Sequence, residues 1–239
     1  MKSLLKKQIF QVGRGVVFTL ALLLVSGSIA FMLHAGDLKK GDVTTDGLTV
    51  VESGRFTEKQ IKHGVEWSAY TKYQITPVDV SFRKDWKRDY NREQRTLSAR
   101  VTDKDMARIR ETVAEIVYDE FNEVLQKKGG FTKVDEADEN TLLFKPVVIN
   151  LDVYAPDLQH SLAMTDTYVR QAGKATLILE LHDAVSGEIL ARWVDTREDP
   201  DNGYFEWANR ITNIARAKLV VRGWANRLVE GLDILKTVN

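Results

Sequence analysis

Without a cysteine among its 239 residues, the chain has no thiol nucleophile, no disulfide and no zinc–thiolate or iron–sulfur site. Chemistry would have to come from imidazole, carboxylate, hydroxyl or cationic groups. His63, His160 and His182 lie in three separate segments. No two have the HxH or HExxH spacing that places two imidazoles on one metal, so no metal or cofactor is expected. The Gly-x-Ser-x-Gly, Gly-x-Gly-x-x-Gly and P-loop patterns are absent. Serine hydrolysis on an α/β-hydrolase frame and nucleotide binding therefore lose their usual anchors. The run Asp195 to Gly203 has the carboxylate density of a calcium loop. Counted from Asp199, its sixth residue is Tyr204 and its twelfth Arg210, where a calcium loop needs glycine and glutamate, so it reads as a turn.

Paired carboxylates can perform acid–base work on a glycan, but no spacing here places two across one cleft. The seven acids between Thr102 and Gln126 read as the solvated face of a helix. The candidate for surface binding is Arg83 to Arg95, with six basic and three acidic residues around two aromatics. Arg83, Lys87 and Arg88 would meet an anionic partner while Trp86 and Tyr90 stack on a ring or sit at a headgroup layer. The alternative is a charged loop with its aromatics tucked beneath it. The stretch itself reads as a loop or short helical turn. His182 and Glu180, two apart, would share one strand face as a solvated pair.

These groups arrive on a chain that begins with an address. Lys2, Lys6, Lys7 and Arg14 precede the apolar run Val16 to Val25, and small residues follow at Ser26, Gly27, Ser28 and Ala30. Basic start, apolar centre and small-x-small end form a secretory signal peptide, with cleavage after Ala30 and Ala35 as the second choice. The other reading is an uncleaved anchor over residues 16–33. Loss of residues 1–30 takes four of the 34 basic groups and leaves 30 against 34 acids, a charge of −4. That balance excludes a dedicated nucleic-acid binder.

Beyond the leader, residues 31–66 are polar and glycine-punctuated and read as a loosely docked arm. Tyr73 to Phe82 alternates with Val78, Val80 and Phe82 on one face, and Pro77 favours a sheet edge. Thr102 to Gln126 carries a helical stripe from Met106 through Ile109, Val113, Ile116, Val117 and Phe121 to Leu125. Thr102 or Asp103 can cap it and Gly129 stop it. Short strands follow at Phe131 to Val134, Leu142 to Tyr154, Ala175 to Asp183 and Ile189 to Thr196, the last two joined by a turn at Val185 to Glu188. A closing helix runs from about Tyr204 to Leu235, with Trp207, Ile211, Ile214, Val221, Trp224, Leu228, Leu232 and Leu235 on its stripe. The expected fold is α+β, a two-layer sandwich: a mainly antiparallel sheet of about five strands with two helices on one face. The expected organisation is a leader over 1–30, an arm over 31–66 and a single domain over 67–239.

Tyr73 with Ile75, Pro77 and Val78, the helix opening Thr102-Asp103-Lys104-Asp105, the strand end Leu151-Asp152-Val153-Tyr154-Ala155-Pro156, the hairpin Leu181 to Ala191, and Trp224-Ala225 with Leu228 and Leu232 come in an order and spacing that resembles a bacterial envelope family. It is domain of unknown function DUF3313, whose members are mostly lipoproteins by sequence. The resemblance runs from Tyr73 to Leu232. It implies an exported, envelope-associated domain and supplies no reaction and no catalytic residue. This chain lacks the lipid-bearing cysteine, so attachment by acyl chain does not carry over. The expectation is a non-enzymatic accessory or binding domain in the periplasm of a Gram-negative bacterium, free or held by residues 16–33, whose partner is another envelope protein or the membrane surface. The alternative is a hydrolase acting on wall or glycan material through carboxylates.

Overall fold

The computed structural model describes residues 38–154, 156, 158, 168–169, 173–198, 206–207 and 210–238. The leader with both cleavage positions, His160 and the turn after Glu198 as far as Tyr204 fall outside them.

Ten strands and three α-helices are assigned among these residues: β1 (Thr49–Val51), β2 (Glu58–Ile61), β3 (Lys72–Ile75), β4 (Asp79–Phe82), α1 (Trp86–Glu93), α2 (Asp103–Lys127), β5 (Thr132–Lys133), β6 (Thr141–Val153), β7 (Tyr168–Val169), β8 (Gly173–Asp183), β9 (Ile189–Glu198), β10 (Glu206–Trp207) and α3 (Arg210–Val238). Eight strands form one mixed sheet in the order β1-β2-β9-β8-β6-β3-β5, with β4 also paired to β6, while β7 and β10 pair separately. The α+β class stands. The sheet is larger than the expected five strands, and a third, short helix joins the two expected.

One expectation is refined and one changes, for physical reasons. The sheet is mainly antiparallel as expected, but β3 and β4 run parallel to β6. The chain between them passes through α1 and α2, and a helical crossover returns a strand in its original direction. The residues read as a loosely docked arm supply two strands: β1 pairs with β2, and β2 pairs with β9 from Glu58↔Val194 to Ile61↔Ala191. Each is too short to show a period, which is why composition alone suggested a loop. Pro77, expected near an edge, falls in the break between β3 and β4, where a missing N–H costs no ladder bond.

The long helix starts as expected. The Thr102 hydroxyl accepts from the Asp105 N–H at 3.2 Å, and the Asp105 carboxylate accepts from the Thr102 N–H at 2.9 Å, a complete capping box. It ends at Lys128, and the left-handed turn belongs to Gly130 (φ 67°) rather than Gly129. Helices α2 and α3 lie side by side and ascend together, since Arg222 donates to buried Glu120 at 2.6 Å and Lys128 to Asn226 at 2.8 Å. Their stripes (Val117, Phe121, Leu125; Trp224, Leu228, Leu232) pack on the sheet face carrying Leu142, Phe144, Leu177, Leu179, Leu181 and Trp193. Trp67 and Tyr73 complete that core.

Candidate functional site

Toward the N-terminal ends of α2 and α3 the two layers separate and leave an apolar cleft of about 150 Å³. One wall is α2 (Ile109, Val113, Ile116), the opposite wall α3 (Ile214, Ala217, Val221, Trp224), and the floor is the sheet at Val148, Leu151 and Ala175. The first half of each helical stripe thus faces the cleft, and the second half fills the core.

The floor is shaped by a bulge. The register of β6 on β8 shifts between Ile149 and Asp152, and Asn150 has a left-handed φ of 53°. One extra residue turns the alternation, so Val148 and Leu151 both reach the cleft and Asp152 comes to its mouth. Asparagine tolerates this backbone better than other non-glycine residues. Opposite the bulge, a Cβ on Gly173 would stand 2.3 Å from the Asp152 carbonyl oxygen, so only glycine fits this close approach.

The charged residues of the described lining are Arg108, Lys174, Arg197, Arg216 and Asp152. Arg216 is buried, and Arg108 and Arg197 are paired with Asp105 and Asp195. Asp152 already accepts from Arg83 Nε at 2.7 Å. Lys174 is exposed and makes no ion pair among the described residues. Asp152 is the sole carboxylate among the described lining residues, so the pair of carboxyl groups that glycan hydrolysis needs is not assembled there.

Behind the Trp224 wall sits a buried acid near the end of the strand expected over Ile189 to Thr196. Asp195, on β9 and 3% exposed, accepts from the Trp224 indole N–H at 3.1 Å and from Arg197 Nε at 2.7 Å. Arg227 approaches it at 3.7 Å, and burial, then the neighbouring Arg197, lowers the Arg227 guanidinium below its usual range. Asp195 therefore holds the indole in place. The alternation of β9 places residue 195 on the same face as Trp193, and that was the one signal available in the sequence.

The basic–aromatic stretch is arranged differently from its surface-binding reading. Trp86 is 2% exposed, stacked on Phe82 at 4.3 Å and on Tyr90 at 5.7 Å between ring centroids, and its indole N–H donates to the Val153 carbonyl at 3.3 Å. Tyr90 is half-buried. The rings are internal packing for α1, so neither face of Trp86 is open to a partner. The three cations of the surface-binding reading are each matched to an acid: Arg83 to Asp89 and Asp152, Arg88 to Asp85 and Asp89, Lys87 to Asp103. Hydrogen bonds from Arg83 and then Arg88 hold the Asp89 carboxyl below the usual carboxylate range.

On the opposite sheet face, Glu180 and His182 are not a solvated pair. His182 is 8% exposed, with Nδ1 3.0 Å from the Gly187 carbonyl and Nε2 3.0 Å from the Glu180 carboxylate. Arg192 lies directly across the ladder from Glu180 and donates to it at 2.9 Å, to Gln60 at 3.1 Å, and to Asp46. Burial opposes the charge on Glu180, but the hydrogen bonds from His182 and Arg192 outweigh it and pull that carboxyl down to about 2. This network ties the segment around Asp46 to the sheet. His63 is exposed. Among the described residues no three histidine or acidic side chains stand together as metal ligands, and no helix is long and apolar enough to cross a membrane.

No curated protein matches the chain. Two solved structures of the PelC dodecamer from Paraburkholderia phytofirmans are similar to it. The one in space group P6 shares 10% identity, covers 70% of this chain and 96% of its own, and has a TM-score of 0.34. A point variant in space group C2 shares 10%, covers 71% and 97%, and has a TM-score of 0.29. At those scores they carry no functional argument. The pattern of the family described as protein of unknown function, DUF3313, matches residues 51–228, and the chain belongs to that family.

Proposed function

We propose that this protein is an exported, envelope-associated binding domain that works by holding an apolar group between α2, α3 and the sheet. The observation that carries the reading is the cleft itself. Ile109, Val113, Ile214 and Val220 line it half-buried, and concave apolar surface of that kind is what a ligand site presents. The basic, apolar and small-residue order of residues 1–30 supports export, with the mature domain in the periplasm, free or anchored by residues 16–33. The partner is then a component of the envelope, a protein or the membrane surface.

The test is a photo-crosslinking residue at Thr112, which lines the cleft, in the full chain within intact cells. The expected result is a discrete adduct that disappears when Ala217→Leu fills the cleft. Retention of the adduct in that variant would overturn the reading, as would turnover of wall polymer by purified protein.

A further inference from the structure

The proposed binding reading leaves the occupant unspecified, and the cleft's own chemistry narrows it. The interior is mainly aliphatic, with Val113, Ile116, Val148 and Ala217 around it, and one buried cation, Arg216, also lines it. At the mouth Lys174 projects an exposed ammonium without an ion-pair partner among the described residues, while Arg197 is paired with Asp195 and Arg108 with Asp105. Asp152, the one acid among the described lining residues, is already held by Arg83 at 2.7 Å. An apolar chamber with an exposed ammonium at its mouth is complementary to one class of molecule, a chain that is apolar along its length and anionic at one end. An apolar cavity of about this size stays dry and takes a solute of roughly six carbons.

Resting on that binding reading, we infer that the cleft takes the hydrocarbon tail of a single-chain carboxylate, with the carboxylate on Lys174 at the mouth. The tail enters between α2 and α3 and lies on the Val148–Leu151–Ala175 floor. The bulge at Asn150 and the close approach at Gly173 fix that floor, so the depth of the chamber is set by backbone rather than by mobile side chains. Chain length should then be read sharply.

Titration calorimetry of the full chain with sodium propanoate through decanoate, each below its micelle concentration, tests this against the corresponding alcohols. Affinity for the carboxylates should rise about fourfold per methylene and level off once about six carbons are enclosed. Lys174→Gln, at an exposed site, should weaken carboxylates about two- to fivefold and leave the alcohols unchanged. Ala217→Leu should shorten the chain at which affinity levels off, and Val113→Phe on the facing wall makes the same test if Ala217→Leu does not fold.

Alcohols binding as tightly as carboxylates would overturn the anionic assignment and leave the cleft as a site for neutral apolar groups. A levelling point unmoved by both filling variants would place binding elsewhere and overturn it as well. Failure of every chain, charged or neutral, would remove the binding reading along with the inference.

Discussion

Truncation of Trp86 separates a packed ring from a presented one. The indole is 2% exposed, stacked on Phe82 at 4.3 Å and Tyr90 at 5.7 Å, and donates to the Val153 carbonyl at 3.3 Å. Trp86→Ala removes that burial, both stacks and the hydrogen bond, and leaves a hole beneath α1. Large aromatic truncations of this kind cost about 3–5 kcal/mol. Trp86→Phe keeps a ring on Phe82 and Tyr90 and loses the bond to Val153, so about 1–2 kcal/mol is expected. The sequence reading, in which the ring serves a partner, expects almost no change from either variant. Urea unfolding of the purified chain followed by far-ultraviolet circular dichroism measures both. A midpoint for Trp86→Ala within error of the unsubstituted protein would refute the packing argument and return the ring to the surface. Trp224→Ala offers the internal comparison: the same size of loss, and the Asp195 carboxylate left without its indole donor.

Further consequences concern the opposite face and the bulge. Arg192→Met leaves Glu180 buried without its cation and should destabilise by about 3–5 kcal/mol, while the pair Glu180→Gln with Arg192→Met should recover much of it, as a double-mutant cycle in urea would show. Because the folded carboxyl of Glu180 is depressed to about 2 from its ordinary 4.5, the stability it contributes is fully present above about 4.5 and drains as pH falls toward 2. Thermal midpoints across that window should fall less steeply in Glu180→Gln than in the unsubstituted chain. Asn150→Val forces a β-branched residue into a left-handed backbone and should cost about 1–2 kcal/mol, whereas Asn150→Gly should be close to neutral in the same unfolding assay.

How legible these features were depended on the range of the interaction behind each. The capping box at Thr102 and Asp105 and the α2 stripe could be read from spacing, since both partners lie within one turn or one face of a single helix. The hairpin from Leu181 to Ala191 was legible for the same reason. β1 and β2 were not, because strands of three and four residues carry no period and exist by pairing, β1 with β2 and β2 with β9. Which of the two readings of Trp86 holds, presented or tucked beneath the loop, was not legible for a related cause. Its neighbours in sequence are charged, while Phe82 and the Val153 carbonyl that enclose it belong to β4 and β6. Glu180 and His182 were placed on the correct strand face, but that face was expected to meet solvent. The covering groups, Arg192 and the segment around Asp46, come from β9 and from far earlier in the chain.

The sequence by itself determined that thiol chemistry is absent, that the domain is α+β, and where its two long helices and central hairpin lie. Those properties follow from composition and from local periods of two and 3.6 residues. Tertiary structure alone decided that Asp195 would brace Trp224, that β3 and β4 would run parallel to β6, and that an apolar cleft bordered by Lys174 would open between α2 and α3. Each depends on strand register, a one-residue bulge and the divergence of packed layers, and these are set by contacts between segments that no local pattern encodes.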